Sequence, residues 1–239
     1  MSRIHGQCLR LFCFPYAGGG ASIFRTWPAQ LPRGVEVCPI QLPGRAGRLR
    51  EEPFTSMRSL VAGVTESLLS RLDKPFVFFG HSMGAIAAFE IARQLRRERR
   101  CQPAHLFVSG HRAPQIPNHN SPVHDLSEPG FLNELQRLNG TPPEVLNSPE
   151  LMKLILPMLR ADFTVIKTYA YAAEPRLDCS ISAYGGLRDN EVSREHVEAW
   201  REQTTSSFSL QMFPGDHFFV NSSETLLLQT LSRELQILL

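Results

Sequence analysis

Six short apolar runs punctuate the chain, and between most of them the apolar residues recur at helical spacing. Residues Leu9–Phe14, 35–40, 76–79, 104–109, 179–184 and Phe208–Phe213 read as strands, each closed by a glycine-, proline- or serine-containing turn. A helix over 22–30 would place Phe24 and Trp27 on one face, and one over 56–72 carries Leu60, Val64, Leu68 and Leu72 at i, i+4 spacing. A helix of small residues follows 76–79, another spans 194–203, and a closing one spans 222–238 with Leu226, Leu227, Thr230, Leu231 and Leu235. Strands alternating with helices predict an α/β fold, a mostly parallel, doubly wound sheet. The pattern shows no repeat, and one domain over residues 1–239 accommodates it.

The rhythm breaks once. About seventy residues separate Ser109 from Cys179, far more than one crossover helix needs, so the segment 112–175 is expected to be an insertion. Its prolines, from Pro114 to Pro157, should chop it into short helices. Phe131, Leu135 and Leu138 make one amphipathic stripe, and Leu151, Leu154, Ile155 and Leu159 another. An insertion after the fourth strand lies over the sheet's C-terminal edge, the place for a lid.

Hydrophobic residues at 42% and charged residues at 20% are ordinary for a globular protein, and a net charge of +2 supplies no electrostatic reason for a nucleic-acid partner. The first apolar run is too short for a signal peptide and Pro15 interrupts it; no window reaches a membrane span. Five cysteines without C-x-x-C spacing read as reduced thiols in a cytoplasmic, monomeric protein. Arg93, Arg96, Arg97, Arg99 and Arg100 end the helix of small residues. They read first as a solvated helix end whose cations suit the dipole, with a docking patch for an acidic partner as the alternative.

The chemistry collects at the strand ends, where an open parallel sheet places its site. Gly80-His81-Ser82-Met83-Gly84 matches G-x-S-x-G between an apolar strand and a helix. In that setting the turn thrusts a serine above the sheet, and the flanking glycines let strand and helix approach. A serine hydroxyl needs a base, and the base needs an orienting acid. In chain order, Ser82, Asp189 and His217 supply nucleophile, acid and base, each just past a strand. Asp216 is a rival acid, but a neighbour of His217 on a tight loop reaches that ring's far nitrogen poorly; it should instead bond backbone amides. Asn190 and Glu191 are less well placed than Asp189, His81 should turn away from Ser82 and pack, and His111 is a candidate lining residue. The oxyanion needs two donors: the N–H of Met83, and one from the loop after the first strand, best Ala17. Gly18-Gly19-Gly20 there is not a dinucleotide fingerprint, because Ile23 stands where the third glycine belongs. His119 and His124 in a proline-rich loop do not make a metal site.

The chain resembles the type II thioesterases, stand-alone editing hydrolases of polyketide and nonribosomal peptide synthetases, and is similar to the medium-chain thioesterase of fatty acid synthase. Five motifs carry the resemblance in order: Phe14-Pro15-Tyr16-Ala17-Gly18-Gly19, Gln41-Leu42-Pro43-Gly44-Arg45, the Ser82 pentapeptide, Gly185-Gly186 with Asp189, and Pro214-Gly215-Asp216-His217-Phe218-Phe219. It implies an α/β-hydrolase fold with a helical lid, Ser82, His217 and Asp189 as triad, and Ala17 and Met83 as oxyanion hole. It also implies no cofactor, and hydrolysis of acyl groups from the phosphopantetheine arm of a carrier-protein partner. A general carboxylesterase and a non-catalytic binding protein are the competing readings.

Overall fold

A computed structural model of the chain describes residues 8–99, 101–117 and 126–239. Arg100, His119, Pro122 and His124, named above, lie outside the described residues. The strands are β1 (Leu9–Phe14), β2 (Val35–Pro39), β3 (Phe76–His81), β4 (His105–Ser109), β5 (Ser180–Gly186) and β6 (Phe208–Phe213). They form one sheet in the order β2-β1-β3-β4-β5-β6, and every pairing among them is parallel. The strand order reverses between β1 and β3, which opens a crevice beyond their C-terminal ends.

Alternation along each strand feeds two cores. Phe12, Phe14, Phe76 and Phe78 face the helices α1 (Met57–Leu68) and α2 (Met83–Arg99), while Leu11, Cys13, Val77 and Phe79 face α8 (Glu224–Leu238) and the aromatic pair Phe24 and Trp27. Burying one such ring contributes roughly 1.5–3 kcal/mol, so the central strands hold the sheet from both sides.

Several elements differ from expectation for local reasons. The helix expected at 22–30 is two 3₁₀ turns, Ala21–Phe24 and Trp27–Ala29. Pro28 has no N–H to donate, so an α-helix cannot run through it without loss; Phe24 and Trp27 are nonetheless buried, edge to face at 4.9 Å. The expected strand 76–79 continues through Gly80 and His81, both paired in register with β4. Helix α1 begins on a Ser56 cap and gives way to a 3₁₀ turn, Leu69–Arg71. The closing helix is split into α7 (Phe219–Ser222) and α8, and its buried stripe is Leu227, Leu228, Leu231 and Leu235, with Leu226 facing outward.

Between β4 and β5 lie α3 (Glu128–Leu138), α4 (Pro143–Leu146) and α5 (Pro149–Lys167). Prolines do not keep all of them short: α5 runs 19 residues straight past Pro157. Phe131, Leu135, Met152, Met158 and Leu159 form a separate small core among these helices, while Leu151 and Leu154 of the expected stripe are exposed.

The arginine cluster divides: Arg93 is buried and Arg96 half-buried, whereas Arg97 and Arg99 are exposed, as a solvated helix end expects. Arg93 bonds Glu90, Glu174 and the Ala172 carbonyl; Arg96 and Arg97 also pair with Glu174. The chain returning from α5 to β5 crosses the last turns of α2, and these arginines fasten it there. After β5, α6 (Arg194–Glu198) packs on the face that holds Trp200.

Candidate active site

The residues singled out at the strand ends converge above the β1/β3 crevice. Ser82 sits between the last residue of β3 and the first of α2 with φ +53°, a left-handed conformation that costs a non-glycine residue strain. Its backbone is pinned: Ser82 N–H donates to the Ser109 carbonyl at 2.7 Å, and its own carbonyl accepts from Ala85 N–H. The strained turn directs Ser82 Oγ to His217 Nε2, 3.0 Å away. His217 Nδ1 is 2.8 Å from Asp189 Oδ2, whose side chain is fully buried. Asp189 Oδ1 accepts from the N–H groups of Glu191 and Val192, so one carboxylate oxygen is committed to the backbone and the other faces the imidazole. Because a carboxylate only accepts, His217 Nδ1 carries the hydrogen and Nε2 is free to accept from the serine.

The rivals separate cleanly. Asp216 Oδ1 accepts from Phe218 N–H and shapes the His217 loop. The Glu191 side chain pairs with Arg137. His111 lines the pocket, with Nδ1 2.7 Å from the Arg112 carbonyl, and burial pushes it down to about 4. His81 does more than pack. Its Nε2 meets the His217 carbonyl at 3.0 Å and its Nδ1 meets Ser109 Oγ at 2.8 Å. A carbonyl can only accept, so Nε2–H donates to it and Nδ1 accepts from Ser109. Burial drives the imidazole well below its ordinary pKa and keeps that neutral pattern. His81 therefore ties the His217 loop to β4, a role invisible in sequence because Ser109 and His217 lie far along the chain.

Two backbone N–H groups are the candidate donors near the serine. The N–H of Met83 opens α2, where helix geometry leaves it without an intrahelical acceptor. Ala17, in the loop after β1, lines the pocket. Neither N–H has a hydrogen-bond partner among the described residues.

The pocket over Ser82 and His217 is walled by Leu135, Leu138, Leu159, Phe163 and Ile166 from α3 and α5. Its cavity volume is about 120 Å³. Arg112, Glu134, Lys167 and Glu191 form a charged margin, and Arg137 bridges the two carboxylates. No described helix is long and apolar enough to cross a membrane.

A second serine–histidine contact exists far from this pocket. His105 Nε2 is 2.8 Å from Ser182 Oγ, whose hydroxyl donates to Glu234. There the carboxylate holds the serine rather than the histidine, and burial pushes His105 down to about 4. That network joins α8 to the sheet.

The family model for the thioesterase domain matches residues 9–235. The gramicidin S biosynthesis protein GrsT of Aneurinibacillus migulanus is 47% identical over 231 residues, covering 97% of this chain and 90% of that protein. RedJ, a thioesterase from the prodiginine biosynthetic pathway in Streptomyces coelicolor, superposes with a TM-score of 0.89 at 41% identity, covering 96% of this chain and 86% of that one. ClbQ from the colibactin NRPS/PKS pathway superposes with a TM-score of 0.92 at 30% identity, over 96% and 98% of the two chains. These relatives share an α/β-hydrolase fold, and with its sequence matched along nearly its whole length the chain belongs to the thioesterase domain family.

Proposed function

We propose that this chain is a serine thioesterase that clears acyl groups from the phosphopantetheine arm of carrier proteins in polyketide or nonribosomal peptide assembly. The observation that carries the chemistry is the unbroken chain Ser82 Oγ, His217 Nε2, His217 Nδ1, Asp189 Oδ2 beneath an apolar chamber. Ser82 Oγ attacks the thioester carbonyl while His217 Nε2 takes its proton. The developing oxyanion is held by the N–H groups of Ala17 and Met83. As the tetrahedral intermediate collapses, the C–S bond breaks and the thiolate leaves with the proton from His217. Water, deprotonated by the same imidazole, then releases the acyl group from Ser82. These residues require no cofactor for those steps.

The helices α3 and α5 act as a lid over this chamber. Its volume of about 120 Å³ falls a little short of the ~150 Å³ cavity that admits benzene, which suits an acyl group of a few carbons. The names of GrsT and ClbQ tie those proteins to peptide and mixed peptide–polyketide pathways, and RedJ is named as a thioesterase. They support the same setting here.

The test is hydrolysis of acetyl through dodecanoyl groups on phosphopantetheinylated carrier proteins, with matching coenzyme A thioesters and nitrophenyl esters alongside. Short acyl-carrier thioesters should turn over fastest, and Ser82→Ala should abolish turnover while leaving the thermal midpoint in place. Turnover retained by Ser82→Ala, or cleavage of oxyesters alone, would overturn the reading.

A further inference from the structure

A buried ion pair in this molecule touches the loop after β1 at its run of three glycines. Arg45 is 6% exposed and Asp162 2%, and they meet through two parallel contacts, Nη1 to Oδ2 at 2.8 Å and Nη2 to Oδ1 at 2.7 Å. Asp162 lies in α5, and Arg45 follows the Leu42-Pro43-Gly44 turn beyond β2. Both reach past each other to the backbone between them. Asp162 Oδ2 accepts from Gly18 N–H at 2.7 Å, and Arg45 Nη1 donates to the Gly19 carbonyl at 2.9 Å. Arg45 Nε donates to the Pro43 carbonyl.

That loop cannot hold itself. Three glycines in succession lose more conformational freedom on ordering than any other sequence. The hydrogen bond within the loop itself is Gly19 N–H to the Tyr16 carbonyl; the next anchor along the chain is Ala21 N–H to Gln41. Gly18 has φ +81°, and a Cβ there would lie 2.6 Å from Leu159 Cδ2, so α5 presses directly on it. Leu159 also lines the chamber, one turn of α5 before Asp162.

We propose that Arg45 and Asp162 form a latch by which the lid helix α5 holds the Ala17 N–H in its oxyanion-binding position. This rests on the reading of Ala17 as an oxyanion donor beside Ser82. The pair positions and does not touch substrate. A carboxylate alone so near a developing oxyanion would oppose it; the bidentate arginine cancels that charge while the carboxylate fixes Gly18. The arrangement makes one helix both the wall that meets the acyl chain and the support of the catalytic loop, so acyl groups that displace α5 are processed slowly as well as bound weakly.

Removing one partner leaves a buried charge and is strongly destabilising, whereas replacing both by apolar residues of similar volume is often neutral. Arg45→Met with Asp162→Leu is therefore the informative variant. It removes the acceptor of Gly18 and the donor to Gly19 without leaving a buried charge, though both backbone groups lose their partners. With butyryl-coenzyme A as substrate, kcat per folded protein should fall about 10²-fold, the cost of one lost oxyanion donor, with KM little changed and the thermal midpoint only modestly lowered. A folded double variant with wild-type kcat, whatever its midpoint, would show that the pair does not position the loop and would overturn the latch. Arg45→Lys keeps a cation beside Asp162 but loses the fork that reaches both carboxylate oxygens and the Gly19 carbonyl; it carries the same expected split between kcat and KM, and the same refuting result, if the double variant does not fold. Ser82→Ala measured in parallel separates the readings: its retained turnover would sink the serine mechanism, whereas an inactive Ser82→Ala beside a fully active double variant sinks only the latch.

Discussion

Gly84, the last residue of the Ser82 pentapeptide, faces the end of β1 at a distance no side chain fits. A Cβ placed on it would lie 2.2 Å from the Phe14 carbonyl oxygen, 2.6 Å from the Phe14 carbonyl carbon and 2.7 Å from the Pro15 oxygen. These are backbone atoms of the strand that leads directly into Ala17, so no rotamer relieves the overlap. In Gly84→Ala the end of β1 and the start of α2 must part by about 1 Å, and those two segments carry the two proposed oxyanion donors. Over-packing of this kind costs about 1–3 kcal/mol, partly offset by the roughly 1 kcal/mol that alanine gains over glycine inside a helix. A displacement of about 1 Å at a catalytic group costs on the order of 10²-fold in rate. The expected outcome is a folded protein whose thermal midpoint falls modestly and whose kcat for thioester hydrolysis falls about a hundredfold. Thiol release followed with a disulfide chromogen gives kcat, and a melting curve on the same sample gives the folded fraction. A folded Gly84→Ala with wild-type kcat, or activity that falls only in step with the folded fraction, would refute the claim that this contact sets the spacing of the hole.

Two further outcomes test the site and its surroundings. In Asp189→Asn the amides of Glu191 and Val192 will claim the side-chain oxygen, turning the NH₂ toward His217 Nδ1 and forcing the tautomer that cannot accept from Ser82. A loss on the order of 10⁴ in kcat follows, while Asp216→Asn, which keeps its bond to Phe218 N–H, should stay close to wild type; the reverse order in the same assay would move the orienting role to Asp216. Burial holds the His105 imidazole down to about 4, despite Glu234 Oε2 at 3.8 Å. The unfolded chain protonates this group at about pH 6.5, so between pH 6.5 and 4 it binds a proton that the folded chain does not. Stability is then lost as pH falls through that window, by about 2 kcal/mol per such histidine between pH 7 and 5. Urea midpoints at the two pH values should converge for His105→Gln, and an unchanged gap would refute the assignment.

What the sequence makes legible follows from how local each signal is. The inner strands β1, β3, β4 and β5 are short apolar runs buried on both faces, and the serine turn is five consecutive residues in a strand-to-helix setting, so both can be read without knowing the fold. Asp189 and His217 follow from topology, because each stands at the end of a strand and the order of roles is fixed by the sheet. Where a feature depends on residues remote in sequence, the reading stops. Nothing near Arg45 announces Asp162, 117 positions later, and nothing near His81 announces the His217 carbonyl. Arg93 and Arg96 near the end of α2 look like surface charge until Glu174 and the returning carbonyls are seen to engage them. The helix expected at 22–30 failed for a local reason, since its aromatic spacing outweighed Pro28 in the reading but not in the structure.

The same division explains how the site is built. Ser82 is positioned by strain that local sequence can encode, a left-handed residue between a buried strand and a helix of small residues. The groups it must meet arrive on loops, which have no rigidity of their own and are held by buried polar contacts instead. The His217 loop is held by His81, and the Ala17 loop by Arg45 and Asp162. In each case a donor or charge that would be costly to bury alone is fully partnered, so the loop cannot leave without exposing an unsatisfied group to an apolar interior. Both holding groups lie outside the atoms that react. In the proposed mechanism the site is thus arranged from two directions: the sheet fixes Ser82, and buried polar contacts fix the His217 and Ala17 loops that come to it.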